Sequence, residues 1–121
     1  MEFNFTNDRP IYLQLVEQLD FYIISGQFSP GERLPSVRDF ASTAKVNPNT
    51  MQKALQELED KKLIITIRTN GKFVTDDEKF LHKLRVNFAQ QKLQNFLHEM
   101  QELGFSHTEI IEYLQNLKGK H

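Results

Sequence analysis

Four polar residues near the middle of the chain recur at the spacing that brings side chains to one face of an α-helix. They are Asn49, Gln52, Lys53 and Gln56. Residues three and four apart lie side by side on a helix, so this face would carry three amides and one cation. Amides and cations are the side chains that pair with base edges in the major groove of DNA. The pattern therefore favours a helix that contacts bases.

The helix that would carry this face is indicated by an apolar stripe on its opposite side. The members of the stripe repeat at i, i+3, i+4 and i+7, and they are Met51, Ala54, Leu55 and Leu58. Asn47 is a favourable N-cap, because its side chain can accept from the free backbone donors of the first turn. Pro48 follows at the first helical position, where no backbone hydrogen bond is lost. We predict a helix from Pro48 to Asp60.

A second short helix precedes it. Ser36, with Asp39 three residues later, forms a capping box in its acidic form. Apolar residues then give an inward face, consisting of Val37, Phe40, Ala41 and Ala44. Only Lys45 and Val46 lie between this helix and the cap at Asn47, so the two helices must turn sharply on each other. Two short helices joined in this way form a helix-turn-helix.

These motifs resemble those of the GntR family of bacterial transcription regulators. The resemblance rests on Pro30-Gly31-x-x-Leu34-Pro35-Ser36-x-Arg38-x-Phe40-Ala41, on Val46-Asn47-x-x-Thr50, and on Ala54-Leu55-x-x-Leu58-Glu59. The opening Pro10-Ile11-Tyr12-x-Gln14-Leu15 and the short tail resemble the YtrA-type branch of that family. The resemblance covers about residues 9 to 75. It implies a mainly α fold with a small β-hairpin, in which a winged helix-turn-helix is followed by a two-helix dimerisation tail.

The function implied by the resemblance is sequence-specific DNA binding by a homodimeric transcription regulator. YtrA-like proteins commonly repress transporter operons, which makes a repressor of such an operon the implied role. A two-fold protein reads a two-fold site, so the operator should be roughly palindromic. Ser36, Arg38 and Thr50 match family positions that approach DNA, mostly at phosphates. With the helix face and the hairpin described next, the predicted DNA-binding residues are Ser36, Arg38, Asn47, Asn49, Thr50, Gln52, Lys53, Arg68, Asn70, Gly71 and Lys72.

The alternative is a winged-helix module that binds protein without specific DNA contacts. A protein-binding face should present aromatic residues or exposed leucines. The amide-rich face of the predicted helix favours DNA instead.

A β-hairpin is predicted after the second of these helices. Leu63–Arg68 is rich in β-branched residues, and Lys72–Thr75 forms the returning strand. Asn70-Gly71 between them is a strong signal for a two-residue turn in which both residues have positive φ. The resemblance makes this hairpin the wing. The family pattern usually has a second glycine where this chain has Thr69, so both a minor-groove contact and a plain solvent-facing turn stay open.

The tail is predicted to be two amphipathic helices. The first runs from about Asp77 to Leu103 and ends at Gly104, and the second begins at a capping box formed by Ser106 and Glu109. We expect the second helix to bury Ile110, Ile111, Leu114 and Leu117. Two helices of this size need outside surface to close a core. The predicted dimerisation residues are Phe88, Leu93, Phe96, Met100, Ile110, Leu114 and Leu117.

These apolar residues lie in stripes rather than all around the helices. Stripes indicate helix packed against helix, with at most a small cavity at the dimer seam or beneath the winged domain. We therefore divide the chain into a DNA-binding domain at residues 1–76 and a dimerisation domain at residues 77–121.

The start of the chain should brace the helix-turn-helix. Phe3 and Phe5 alternate with polar residues, which fits a short arm or an edge strand. A helix should follow from about Pro10, capped by Asn7 or Asp8, and should end at Gly26.

Composition narrows the class of protein. The net charge of −1 is unusual for a nucleic-acid binder, so positive charge must be concentrated on one surface. The cations available for that surface are Arg38, Lys45, Lys53, Arg68 and Lys72. The sequence has no cysteine, no apolar run of membrane-spanning length and no signal-peptide pattern, so we expect a cytoplasmic protein.

The sequence offers little support for catalysis. It has no glycine-rich phosphate loop and no nucleophile motif, and its four histidines lack the i, i+4 pairing of a helical metal site. We expect no enzyme activity, no metal and no cofactor. No residue pattern identifies a small-molecule effector.

Overall fold

The computed structural model describes residues 1–118 and is mainly helical, as predicted. Its elements in chain order are α1 (Ile11–Ile24), α2 (Val37–Ala44), α3 (Pro48–Asp60), β1 (Ile64–Ile67), β2 (Gly71–Val74), α4 (Glu78–Glu102) and α5 (His107–Lys118). The chain forms two compact units, Met1–Lys83 and the residues from Leu84 onward, so the boundary between the units falls within α4. Among the helices described, none combines the length and apolar character that a membrane crossing requires.

Helix α1 begins without the side-chain cap that the sequence suggested. Its N-cap position is Pro10, and no side chain accepts a hydrogen bond there. Asp8, one of the two predicted caps, instead accepts from the Thr6 hydroxyl. The other end agrees with the prediction, because Gly26 has a φ of 86° just beyond the helix.

The first residues form an extended arm that lies along α1 and is not part of a sheet. The backbone of every second arm residue forms hydrogen bonds with an α1 side chain, and these side chains are spaced one helical turn apart. The pairs are Glu2–Tyr22, Asn4–Gln18 and Thr6–Gln14. Two extended residues advance about 6.6 Å and four helical residues about 6 Å, so the two repeats stay in step. The Phe3 ring packs edge-on against Phe40, with 6.1 Å between centroids, which ties the arm to α2.

Gln14 is the central residue of this arrangement. Its side chain is buried, yet its oxygen accepts from Thr6 N at 2.8 Å and its nitrogen donates to Thr6 O at 3.0 Å and Arg9 O at 2.7 Å. Burying an amide without partners would be costly, and here the amide is satisfied. The glutamine of the opening motif is therefore a structural residue that fastens the arm.

The helix-turn-helix has its core where the sequence predicted it. Met51, Ala54, Leu55 and Leu58 of α3 are completely buried. They pack in the first unit with buried side chains of the other two helices, among them Leu15 and Leu19 of α1 and Phe40 of α2. Each large apolar side chain that is fully buried stabilises the fold by roughly 1.5–3 kcal/mol.

Both predicted helix caps are confirmed. Ser36 Oγ accepts from Asp39 N at 3.2 Å, and Asn47 Oδ1 accepts from Asn49 N at 2.7 Å. The sharp turn between α2 and α3 is made by Lys45, which adopts the left-handed conformation at φ 59° and ψ 45°. Val46 N then donates to Ala41 O at 3.0 Å and closes the end of α2.

The hairpin forms, but its turn differs from the prediction. Ile67 pairs with Gly71, so Arg68, Thr69 and Asn70 form a three-residue connection. Asn70 N donates to Ile67 O at 2.9 Å, and within residues 1–118 the only non-glycine positions with positive φ are Lys45 and Lys62. The two-residue turn with both Asn70 and Gly71 at positive φ is therefore wrong; Gly71 alone has it, at 104°, as the first residue of β2.

A third extended segment lies along the other edge of β2. Leu34 N donates to Lys72 O at 2.8 Å, and Val74 N donates to Glu32 O at 2.9 Å. Arg33 is bridged antiparallel to Phe73 between these two bonds. The wing is thus anchored to the segment that leads into α2, which fixes its position beside the helix-turn-helix.

The tail helices begin and end close to the predicted positions. Asp77 caps α4, with Phe80 N donating to Asp77 Oδ1 at 3.1 Å, and Gly104 beyond the helix has a φ of 97°. The capping box of α5 is reciprocal, because Ser106 N donates to Glu109 Oε1 at 2.9 Å and Glu109 N donates to Ser106 Oγ at 3.2 Å.

A single copy of the chain buries one of the four α5 residues that were expected to be buried. Ile110 is 2% exposed, whereas Ile111, Leu114 and Leu117 are all exposed. A lone pair of helices has too little surface to cover all four side chains. These residues would need a further surface to be removed from water.

Candidate nucleic-acid interface

The front of α3 is the polar face that the sequence predicted. Asn49, Gln52, Lys53 and Gln56 are exposed, while the stripe on the opposite side is buried in the core. The four side chains line a shallow concavity of about 470 Å³ together with Tyr12, Glu57 and Asp60. The core thus fixes the orientation of α3, and its amides project together from the surface.

The two ends of this face differ in charge. Gln56 Nε2 donates to Glu59 Oε2 at 3.3 Å and to Asp60 Oδ1 at 3.1 Å, so its amide is engaged with the acidic last turn. Phosphates would be repelled by that turn. The free amides and the cation lie in the first half of α3, which is the end of a recognition helix that contacts bases in helix-turn-helix proteins.

Lys53 is held on the α1 side of this face. Its ammonium lies 4.6 Å from the centroid of the Tyr12 ring, a cation–π contact. The pKa of the Tyr12 hydroxyl is raised, first by desolvation and then by the charge of Glu57 and a hydrogen bond to it. Tyr12 therefore remains protonated at neutral pH.

Three predicted contact residues also serve or flank the helix starts. The side-chain oxygens of Ser36 and Asn47 accept backbone hydrogen bonds as caps. A serine hydroxyl proton and an asparagine NH₂ group stay available to donate. Thr50 is half-buried in the first turn of α3, and Arg38 is exposed on α2.

The wing presents its predicted residues unequally. Arg68 and Asn70 are exposed in the connection between the strands. The Lys72 side chain is only 15% exposed, and its ammonium donates to Thr66 Oγ1 at 3.0 Å and lies 3.8 Å from Glu59 Oε1. Lys72 is thus engaged within the fold, whereas Arg68 has its charge at the surface.

Sequence reasoning missed Arg33, which supplies a further cation at the wing. Its guanidinium packs against Gly71, where an added Cβ would lie 3.5 Å from Arg33 Nε. The side chain comes close because Arg33 is paired with Phe73 along β2. Arg33 occupies an unspecified position of the Pro30-Gly31-x-x-Leu34 motif, so the motif gave no reason to select it. The pairing with β2 is not visible in a local pattern.

The predicted dimerisation residues lie on the tail helices with different exposures. Phe88, Leu93, Leu114 and Leu117 are exposed, Phe96 and Met100 are half-buried, and Ile110 is buried within the single chain. The four exposed residues have apolar surface available to another molecule. Ile110 instead contributes to the packing of its own chain.

A second concavity, a groove of about 620 Å³, lies beside the last turn of α3 and β1. It is lined by Glu59, Lys62, Ile64, Ile65, Thr66, Thr75, Asp77 and Phe80. It is larger than the small cavity expected beneath the winged domain. The hydroxyl of Thr66 donates to the Glu59 carboxylate, so part of the polar lining is already engaged.

No metal centre accompanies these features in the part of the chain that the structure describes, where no group of three or more His, Cys, Asp or Glu side chains could hold an ion. Of the histidines, His98 pairs with Glu102 at 2.8 Å on the surface of α4. His121 lies outside residues 1–118.

Comparison with known proteins agrees with this arrangement. The model of "Bacterial regulatory proteins, gntR family" matches residues 11–74, from the start of α1 to the end of β2. An uncharacterized HTH-type transcriptional regulator of Bacillus subtilis, YhcF, is 34% identical over 112 residues, which are 93% of each protein. The HTH-type transcriptional repressor YtrA of the same bacterium is 29% identical over 111 residues, covering 91% of this chain and 85% of YtrA.

Solved structures show the same fold along nearly the whole chain. A GntR family transcriptional regulator from Listeria monocytogenes superposes with a TM-score of 0.82 at 37% identity, covering 93% of this chain and 98% of that one. The family and these relatives are regulators rather than enzymes. Because the family model spans more than half of the sequence and includes α1, the helix-turn-helix and the wing, the chain belongs to the GntR family and is a transcription regulator with a winged-helix DNA-binding domain.

Proposed function

We propose that the protein is a homodimeric repressor that binds a roughly palindromic operator through the first half of α3. The observation that carries the proposal is the exposed row of Asn49, Gln52 and Lys53 on a helix whose opposite side is fully buried. Gln52 and Asn49 have the donor and acceptor groups to pair with adenine, and Lys53 has the donors to pair with guanine. Ser36, Arg38, Asn47 and Thr50 would fix the register of α3 through the backbone of the DNA.

The wing would contribute contacts to the DNA backbone. Arg68, Asn70 and Gly71 lie in or next to the exposed connection, and Arg33 adds a second cation against Gly71. Lys72 remains a proposed contact, although its engagement with Glu59 and Thr66 makes it a weaker one than Arg68.

Dimerisation is proposed for residues 77–121, with residues 1–76 as the DNA-binding domain. The support is the exposed apolar surface of the tail, chiefly Phe88, Leu93, Leu114 and Leu117. Phe96 and Met100 would complete the interface, and Ile110 would support it from within the chain. Two half-sites bound by one dimer should lie about 10 base pairs apart, centre to centre.

The role as a repressor draws on the Bacillus subtilis YtrA, a transcriptional repressor related over most of its length. Regulation of a transporter-type operon is what the resemblance to the YtrA-type branch implies. A regulator of this kind works in the cytoplasm, where bacterial DNA lies.

The test is selection of bound sequences from random duplex DNA by the full-length protein, with the mass of the complex measured by light scattering. We expect an enriched inverted repeat and two chains per duplex. Enrichment of no motif, or one chain per duplex at saturation, would contradict the proposal.

A second candidate function is binding of another protein through the wing. The observation in its favour is that Ile65 and Ile67, on one side of β1, are each 45% exposed. Replacing both with threonine separates the two functions. Operator affinity should be unchanged if α3 and the connection of the hairpin carry the activity.

A further inference from the structure

Tyr12 lies on α1, yet it shares a surface with the base-contacting face proposed for α3. The Lys53 ammonium is 4.6 Å from the centroid of its ring, and both side chains line the same concavity as Asn49 and Gln52. Tyr12 is half-buried in the first turn of α1. Since α1 packs against α3, the place of the ring is fixed by the core and not by a flexible loop.

Lys53 lies over the Tyr12 ring and does not pair with the glutamate one turn further along its own helix. Lysine and glutamate four residues apart on a helix commonly pair, which would draw Lys53 towards Glu57. Here Glu57 lies 3.9 Å from the Lys61 ammonium, and Lys61 in turn lies 3.1 Å from Asp20. Within residues 1–118, Lys53 makes no ion pair at all. The ring of Tyr12 is its partner.

Such a contact matters because a lysine side chain is otherwise free to adopt many conformations. Its four-carbon stem loses considerable entropy when the ammonium is confined to one place. A ring that already confines the ammonium lowers the further loss on binding a base, and it limits which base edge the ammonium can reach. This is pre-organisation of a contact before the ligand arrives.

We propose that Tyr12 is a positioning residue that holds Lys53 in place and thereby sets the base preferred at the position Lys53 contacts. The inference rests on the proposed function, because it requires α3 to read DNA. It adds a residue of α1 to a specificity that would otherwise be assigned to α3 alone.

The first test observes the contact in the free protein. In proton–carbon correlation NMR spectra of the full-length chain, the ring should shift the signal of the Lys53 ε-methylene protons upfield. The signal is assigned by its absence from the spectrum of Lys53→Arg. Tyr12→Phe should keep the shift because it keeps the ring. Tyr12→Leu should abolish it. An unshifted signal in the parent protein would overturn the inference, whatever the DNA experiments show.

The second test measures base preference. Lys53→Ala first identifies the operator position that depends on Lys53. At that position Tyr12→Leu should lower the preference for the favoured base by about two- to fivefold, the range of exposed cation–π contacts. Tyr12→Phe should retain the preference. In the Lys53→Ala background, Tyr12→Leu should have no further effect.

Tyr12 is half-buried, so replacing it could disturb the fold. Tyr12→Met, an unbranched replacement of similar length, is therefore made in parallel with Tyr12→Leu. Circular dichroism verifies the folding of each variant. Loss of affinity by the same factor for every sequence would show a general structural or phosphate role and overturn the inference. So would an equal effect of Tyr12→Leu with and without Lys53. If the parent protein selects no motif, the proposed function fails too; if it selects a motif that Tyr12→Leu leaves intact, only this inference fails.

Discussion

Leu93→Asp is expected to separate the chains of the proposed dimer while leaving each chain folded. Leu93 is on α4 and is 58% exposed in the single chain. Phe96, the neighbouring residue of the predicted interface, is half-buried, so its replacement would also disturb the packing of its own chain. Leu93 therefore isolates the contribution of a partner.

The magnitude follows from the exposed fraction. Complete burial of a leucine contributes roughly 1.5–3 kcal/mol, so covering the remaining surface contributes about 1–1.7 kcal/mol for each chain. A two-fold interface contains the residue twice, which gives about 2–3.5 kcal/mol for the dimer. The dissociation constant of the dimer should thus rise by about 30- to 400-fold, and an unpaired carboxylate in the interface would raise it further. The free energy of unfolding of the monomer should change by no more than about 0.5 kcal/mol, as for other surface substitutions.

Sedimentation over a range of concentrations measures the dissociation constant, and titration with the selected duplex measures operator affinity. Gln94→Asp is the matched control, because it adds the same charge at the adjacent exposed position of α4. Operator affinity should fall with dimerisation, since each half-site binds weakly alone. Equal dissociation constants for the two variants would refute the reasoning and place the interface elsewhere.

Three further predictions concern the proposed DNA-contacting residues and one half-buried carboxylate, Asp20. Gln52→Ala should change the base preferred at one position by about 1–3 kcal/mol, whereas Arg38→Ala should weaken binding to all sequences and reduce the salt slope of log affinity by about one unit. An unchanged selected motif for Gln52→Ala would show that the reading face is wrong. Arg68→Ala should likewise reduce the salt slope, while Lys72→Met should reduce it by less, because Lys72 is engaged with Thr66 and Glu59. Equal slopes for these two variants would contradict the distinction. Desolvation raises the pKa of Asp20 above 3.8 despite Lys61, so the folded chain binds that proton more tightly than the unfolded chain. The contribution of Asp20 to stability should therefore fall as pH rises from just below 3.8 through the raised pKa, and urea denaturation of Asp20→Asn should lack this component.

What the sequence predicted well depends on neighbouring residues. The caps at Ser36, Asn47 and Ser106 each need a partner only two or three residues away, and all three form. The buried stripe of α3 follows from helical periodicity in the same way. Together these local signals fix which side of α3 is exposed. The winged-helix fold itself was predictable from the motifs that resemble the GntR family.

The features that could not be predicted depend on residues far apart in the chain. Arg33 reaches the wing because a segment before α2 pairs with β2, and Lys72 is engaged because Glu59 of α3 lies beside the hairpin. Gln14 fastens the arm through the backbone of Thr6 and Arg9, which are nearer in the chain but outside the spacing that helical periodicity reveals. The failed prediction for the turn has the same origin, since the pairing of Ile67 with Gly71 makes the loop one residue longer than the Asn70-Gly71 signal suggests.

A net charge of −1 is unusual for a protein that binds DNA, but the charges of this chain are not evenly placed. The chain has a net charge of −1, but many of its carboxylates are engaged with cations or amides inside the first unit. Glu59 faces Lys72, Asp20 pairs with Lys61, and Glu17 pairs with Arg9 at 2.8 Å.

A different set of cations stays exposed: Arg33, Arg38, Lys45, Lys53 and Arg68. Within residues 1–118, none of these five makes an ion pair. Counterion release depends on the cations that meet phosphates and not on the total charge of the protein. A chain that is slightly acidic overall can therefore bind DNA through exposed cations that form no ion pair within the fold.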